Sequence, residues 1–274
     1  MSAKWFDLTG RVALITGAGA NGGNGHAIAL GMAACGADVF ASDIDAAGAE
    51  QTAREVAALG RRSAWARCDI GSPEEIRATF AALDREFGRI DILVNNVGVG
   101  HRSRPEDLTL EQWRQVVATN LDGTWLCSVE AGRRMMARGG GGSIINISSI
   151  AGSSALGRGN FVYSVTKGGV NQFTRELAVE WAPHGIRVNA IQPAQIMTPA
   201  VKRMFEDPRM STERLRDRIL SGIPLGHIGQ PEDVAKGAVF LASDAASFIT
   251  GHLLPVDGGN LALNAGGSRV WPTE

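Results

Sequence analysis

The sequence predicts an α/β fold: an open, doubly wound parallel sheet of seven strands with helices on both faces, in a single domain over residues 1–274. Three observations predict it. Short apolar runs alternate with longer stretches of helical period along the whole chain, the mark of successive β-α-β units. The first apolar run passes through a glycine-rich turn straight into a helix, which is how such sheets begin. Neither an internal repeat nor an interdomain linker interrupts the alternation.

Taken in order, the apolar run Arg11–Thr16 is the first strand, and Gly25–Cys35 the first helix. Asp38–Ser42 and Ser63–Cys68 are the next two strands, separated by a helix over Ala46–Leu59. A helix over Pro73–Phe87 leads to the strand Ile90–Asn95, and one long helix over Leu110–Arg138 comes next. The run Gly139–Gly142 reads as a surface turn before the strand Ser143–Ser148. Tyr163–Ala182 is helical, Arg187–Gln192 is a strand, and Pro231–Ser243 with Leu253–Val256 supplies the last helix and strand. Residues 198–222 fit no strand; they are polar, carry Pro199 and Pro208, and are expected to form a lid over a site.

Composition narrows the function classes. Lys and Arg number 27 against 28 acidic residues, so there is no broad basic field for nucleic acid or an anionic membrane, and small molecules are the expected partners. The start of the chain has no secretory-type apolar stretch, and no run approaches the roughly 20 residues that span a bilayer, so a cytoplasmic location is expected. Cys35, Cys68 and Cys127 form no C-x-x-C pair; all three read as small buried hydrophobes, and no metal site is expected.

The turn Gly17-Ala18-Gly19-Ala20-Asn21-Gly22-Gly23-Asn24-Gly25 succeeds a strand and opens a helix. Glycines let the backbone approach a pyrophosphate, and the amides and dipole at the helix start attract its charge. Asp43 ends the second strand 18 residues beyond Gly25, near the offset expected of a carboxylate on the adenosine ribose. Such a carboxylate accepts from ribose hydroxyls and repels a phosphate in their place, so NAD is expected over NADP. The competing structural role is a cap on the next helix.

Tyr163 and Lys167 lie four residues apart, on one face of a helix. A free phenol titrates near about 10. A neighbouring cation favours the phenolate, so the pair is expected to bring Tyr163 toward the range that acid/base work needs.

With these residues in place, the chain resembles the short-chain dehydrogenase/reductase family, from Leu8 to about Gly259. The family's Asn-Asn-Ala-Gly appears as Asn95-Asn96-Val97-Gly98, its helical Asn as Asn120, its serine motif as Asn146-Ile147-Ser148-Ser149, and its closing Val-Asp-Gly-Gly as Val256-Asp257-Gly258-Gly259. The resemblance implies a Rossmann-type domain in which Ser149 bonds the substrate oxygen, Tyr163 exchanges its proton, and Lys167 holds the nicotinamide ribose and lowers the phenol pKa. It implies that Asn120 completes a water-linked proton path to Lys167. Ser149 is preferred to its neighbour Ser148. Ile44 adjoins Asp43, Asp69 and Ile70 resemble the pair that holds adenine, and Asn96 resembles a residue that stiffens the sheet. Gly17, Asn21, Gly23, Asn24, Gly25, Asn95, Val97, Gly98, Pro193, Ile196 and Thr198 complete the expected cofactor contacts.

Three departures stand out. The turn between Gly17 and Gly23 holds five residues, two more than the usual pattern; Ser149 to Tyr163 spans 14 residues, about one more than usual; and Pro193-Ala194 replaces Pro-Gly.

The expected substrate is a secondary alcohol or its ketone; the lid carries Lys202, Arg203, Arg209, Arg214, Arg216 and Arg218 against few acids, which reads either as a solvated helix face or, more sharply, as contacts to a sugar, polyol or sugar acid. Arg158, Asn160, Gln195 and Arg203, with Ser149, are the candidate substrate contacts, and His101 and Arg102 are further ones. Two alternatives remain open: an NADPH-dependent 3-oxoacyl carrier-protein reductase, and a dinucleotide-binding protein without catalysis. The last strand lies at a sheet edge that needs cover, and the family resemblance implies a homotetramer that covers it, with the fourth and fifth helices, including Phe173 and Leu177, between subunits.

Overall fold

In a computed structural model of the chain, residues 4–206 and 212–263 are described. Seven parallel strands form one sheet in the order β3-β2-β1-β4-β5-β6-β7: β1 (Val12–Thr16), β2 (Asp38–Asp43), β3 (Ser63–Arg67), β4 (Ile92–Asn95), β5 (Gly142–Ile147), β6 (Ile186–Pro193) and β7 (Leu253–Val256). The chain winds outward from β1 in one direction and from β4 in the other, so the order reverses between them, where a crevice opens at the carboxyl ends.

Side-chain alternation along β1 sorts the core into two layers. Ala13 and Ile15 face α1 (Asn24–Ala34) and α9 (Pro231–Ala242), joining Ile28, Met32, Val234 and Leu241. Leu14 faces the other way, toward α3 (Pro73–Phe87) and α5 (Gly123–Arg138), where Phe40, Phe80, Leu83 and Met135 pack. All five residues of β1 are buried, as a central strand covered on both faces requires. Local chemistry sets the bounds of α3: the Ser72 hydroxyl accepts from the Glu75 amide, Pro73 occupies the first turn, and Gly88 at φ 67° ends the helix.

Three expectations need correction, and the lid segment gains detail. The long helix over Leu110–Arg138 is α4 (Leu110–Val117), a π-helical turn (Ala118–Asp122) and α5. The segment expected as a lid carries two helices, α7 (Pro199–Glu206), none of whose residues is fully buried, and α8 (Thr212–Leu220). Arg209 lies outside the described residues. Gly142 begins β5, leaving Gly139, Gly140 and Gly141 as the turn. Cys35 is half-buried, unlike Cys68 and Cys127. The remaining helices are α2 (Ala46–Ala58) and α6 (Phe161–Trp181). No helix among the described residues is long and apolar enough to cross a membrane.

Candidate active site

Three loops at the carboxyl ends of β4, β5 and β6 converge on the start of α6, which carries Tyr163. Burial pushes the Tyr163 phenol above its ordinary value, and a hydrogen bond with the Ser149 hydroxyl acts weakly in the opposite direction. Ser149 leaves β5 in extended conformation (φ −167°, ψ 158°) and accepts from the Ala151 amide at 3.1 Å, which fixes its rotamer. Its neighbour Ser148 points elsewhere, donating to Asn171 Oδ1 at 2.7 Å and lying 3.2 Å from the Lys167 carbonyl. Gln192, a residue that no sequence motif marks, donates its amide to the Ser149 carbonyl at 3.2 Å and to Ser153 Oγ at 2.7 Å.

Lys167 is buried, and its Nζ donates to the Ile147 carbonyl at 2.7 Å, 5.7 Å from the centre of the Tyr163 ring. Burial lowers its pKa to about 8, so the ammonium still holds its proton at neutral pH. The expectation that the cation draws the phenol down is therefore corrected: in this chain desolvation dominates at Tyr163, with the lysine nitrogen 5.7 Å from the ring centre. A Cβ at Gly98 would stand 3.0 Å from Lys167 Nζ, so a side chain there crowds the ammonium.

Asn120 sits within the π-helical turn and is fully buried. Its Nδ2 donates to the Val99 carbonyl and to Thr166 Oγ1, and its Oδ1 accepts from the Val99 amide, each at 2.9 Å. The side chain thus clamps the β4 loop against α6; both its N–H groups are committed, and it makes no direct hydrogen bond to Lys167. Asn96 performs a comparable job one loop earlier, with Nδ2 donating to the Thr16 and Gly17 carbonyls at 3.1 and 2.9 Å. Asn95 is a correction: alternation turns its side chain into the core, where Nδ2 bonds Ser128 Oγ and Asn146 Oδ1 at 2.9 Å.

A cleft of about 430 Å³ lies across the crevice, lined by Gly17, Asp43, Ile44, Asp69, Ile70, Val97, Gly98 and His101, and the β4 loop that Asn120 holds forms one side of it. Gln115, Val116 and Thr119 of the α4 side form a further wall, beyond the contacts expected from sequence. At the edge of the cleft Asp43 Oδ2 accepts from the Gly19 amide at 2.7 Å and Oδ1 from the Asp45 amide at 2.9 Å. Asp45, not Asp43, occupies the cap position of α2. Asp69 Oδ1 closes the next loop by accepting from the Gly71 amide.

The residues at the start of α1 fit a dinucleotide. Gly23 is the N-cap, no side chain caps the helix, and no acid stands in its first turn, so its leading amides are free to meet a pyrophosphate. A Cβ at Gly25 would collide with the Gly17 carbonyl, so only glycine lets the helix start this close to β1. Four other expected cofactor contacts do not line this cleft. Asn21 is exposed and opens onto an apolar groove with Phe6, Leu30 and Val239, and Ile196 is buried beside a separate cleft. Pro193 closes β6, and Thr198 is half-buried just before α7.

Of the candidate substrate contacts, Ser149 alone is joined to Tyr163. Arg158 is exposed and is the one described non-glycine residue with a left-handed φ (55°), between Gly157 and Gly159, which share that conformation. Asn160 Nδ2 donates to the Gly157 carbonyl at 2.8 Å, holding that loop. Gln195 opens into a cleft with Ile223, Leu225 and His227, apart from the catalytic cluster, and Arg203 is exposed on α7. His101 is half-buried in the main cleft and Arg102 is exposed.

The family model described as "Enoyl-(Acyl carrier protein) reductase" matches residues 17–260. The crystal structure of a short-chain type dehydrogenase/reductase from Mycobacterium marinum superposes with a TM-score of 0.86 at 33% identity, covering 96% of this chain and 100% of that one. The chain belongs to the short-chain dehydrogenase/reductase family. Among its relatives, the D-threitol dehydrogenase of Mycolicibacterium smegmatis is 39% identical over 93% of this chain and 94% of its own length. A gluconate 5-dehydrogenase from Burkholderia cenocepacia J2315, solved with NADP and tartrate, has a TM-score of 0.88 at 32% identity over 96% of this chain and 100% of its own. As a short-chain dehydrogenase/reductase, the protein is an oxidoreductase acting on CH–OH groups.

Proposed function

We propose that the protein oxidises a secondary alcohol of a sugar, polyol or similar hydroxylated molecule with NAD, Tyr163 exchanging the hydroxyl proton. The observation that carries the cofactor choice is the Asp43 carboxylate at the edge of the cleft, tied to the Gly19 amide. Each of its oxygens keeps a lone pair for a ribose hydroxyl, and its charge opposes a 2′-phosphate. The substrate class draws support from the activities for which the threitol and gluconate relatives are named. The direct test is turnover of a polyol and sugar-acid panel with NAD and with NADP. Faster turnover with NADP would overturn the Asp43 reading, and activity confined to acyl thioesters would favour the carrier-protein reductase.

In this reading Ser149 holds the substrate oxygen against the phenol, to which it is already bonded. Tyr163 receives the hydroxyl proton as the carbonyl forms, and bound NAD supplies the hydride acceptor. Lys167 keeps a positive charge beside the ring, held in place by the Ile147 carbonyl. Asn120 acts through others: it fixes Val99 and Thr166, and so the spacing between the β4 loop and Tyr163, and the proposed proton path past Lys167 does not use its committed amide.

These groups give a pH dependence of known sign. Tyr163 must be deprotonated to accept a proton, and burial keeps it protonated through neutral pH. The rate of alcohol oxidation at low substrate therefore rises about tenfold per pH unit from about 6 upward. It bends over above about 8, where Lys167 loses its own proton and the phenolate its nearby cation. Rates measured from about pH 6 to about pH 10 check this, and a flat profile in the lower half of that range would remove Tyr163 as the titrating base.

The tetramer remains part of the proposal, with one change. Leu177 packs on the chain's own core and Phe173 is half-buried, whereas Trp125 of α5 and Phe161, Val165 and Val179 of α6 are exposed. Burying those residues between subunits is worth about 25 cal/mol per Å². Light scattering at micromolar concentration is expected to give four times the chain mass of 28.9 kDa; the monomer mass would overturn the assembly.

A further inference from the structure

We propose that His26 is a positioning residue for the lengthened glycine turn, and that its bond to the turn sets the affinity for the dinucleotide. The two additional residues form a tight turn of their own. The Gly23 amide bonds back to the Ala20 carbonyl at 2.7 Å, and Gly22 takes a left-handed φ of 73° while Asn21 does not, the pattern of a type II turn. Such a turn leaves the Gly22 amide pointing away from its own ring of atoms. It finds His26 Nδ1 at 3.4 Å, one helical turn into α1.

For Nδ1 to accept, the ring proton must sit on Nε2, and the structure supplies its acceptor: Glu55 Oε2 of α2, at 2.8 Å. Glu55 is itself oriented by Gln51, whose amide donates at 2.9 Å, and these two bonds hold its carboxyl below the usual carboxylate range. A chain of three hydrogen bonds thus runs from α2 through the imidazole to the tip of the turn. His26 is 9% exposed, so no water competes freely for Nδ1. The base of the turn is held by Thr52 and Asp43, which bond the Ala18 carbonyl and the Gly19 amide; at its tip the added Cβ of Gly22 would meet only the Pro199 ring, at 4.0 Å, and His26 is the side chain that bonds the Gly22 amide. The turn leads directly into Gly23 and the first amides of α1, which are the groups a pyrophosphate meets. A loose turn must be ordered at the moment of binding, and that ordering reduces affinity.

The inference rests on dinucleotide binding by this family member and not on Asp43, since the pyrophosphate is common to NADH and NADPH. The experiment is titration of the full chain with NADH and with NADPH, with nicotinamide fluorescence as the readout, alongside thermal melting. His26→Phe, which keeps the ring volume, is expected to weaken whichever dinucleotides the parent binds by about tenfold, by equal factors. His26→Asn places an amide oxygen near the position of Nδ1 and should restore most of that loss, although it cannot reach Glu55. Glu55→Gln, which leaves the histidine in place, should fall between. If His26→Phe does not fold, the Asn and Gln variants carry the test: both must bind more weakly than the parent, by less than about tenfold. Affinities within about twofold of the parent for His26→Phe, or a loss in His26→Asn as large as in His26→Phe, would overturn the proposal. So would a parent that binds neither dinucleotide.

Discussion

Replacing Tyr163 by Phe is expected to lower turnover by about a thousandfold or more, while dinucleotide affinity stays within a few-fold of the parent. The aromatic ring is retained, so its packing beside Gly100 survives; a Cβ at Gly100 would stand 3.6 Å from the ring edge. The variant loses the oxygen that receives the substrate proton, together with its bond to Ser149. Ser149 keeps its bond from the Ala151 amide and so remains oriented. Steady-state rates with the best alcohol, read beside fluorescence titration with NADH, separate the two effects. Activity within about tenfold of the parent would assign the proton to some other group.

Gly25→Ala should be nearly as damaging, for a reason of packing rather than chemistry. The added methyl would overlap the Gly17 carbonyl and come within 2.6 Å of Asn96 Nδ2, and that amide is itself pinned to the Thr16 and Gly17 carbonyls. Neither neighbour is the far end of a flexible chain, so α1 must slide away from β1. Overpacking of this kind costs about 1–3 kcal/mol in stability. The displaced helix start also removes the anion site, and a loss of about a hundredfold in dinucleotide affinity is expected. Calorimetric melting and the same titration measure both quantities; unchanged affinity would show that the pyrophosphate lies away from this turn.

How far the sequence can be read depends on whether the cause is local. The strand Leu253–Val256 and the helix Pro73–Phe87 are found at the expected bounds because turn residues, a capping serine and a left-handed glycine punctuate them. The family resemblance and the seven-stranded parallel sheet rest on patterns of the same kind. The break in the long fourth helix is invisible in the sequence, because it depends on partners far away: Val99 and Thr166 hold Asn120, and Gly123 lies against the Ile70 carbonyl. Asn95 misleads for a different reason. Adjacent residues at the end of a strand point to opposite sides, so Asn96 and Asn95 cannot both face the same cleft. At Tyr163 the charge neighbour is legible as a spacing of four, whereas the burial that outweighs it is not. Gln192 carries no signal at all; its amide matters only because β6 lies beside β5.

The π-helical turn at Ala118–Asp122 also makes one rod of helix into two independently phased parts. Each added residue rotates the downstream segment by about 100°. Upstream, Gln115 and Val116, with Thr119 at the start of the turn itself, line the cleft; downstream, Cys127, Ala131 and Met135 repeat every four residues along the buried face of α5. An uninterrupted α-helix would tie those two faces to a single rotation. With the extra residue between them, the wall of the cleft can drift in sequence without dragging the core stripe out of line. One continuous stretch of chain thereby presents one face to the cleft and another to the core, with their relative angle set by the turn.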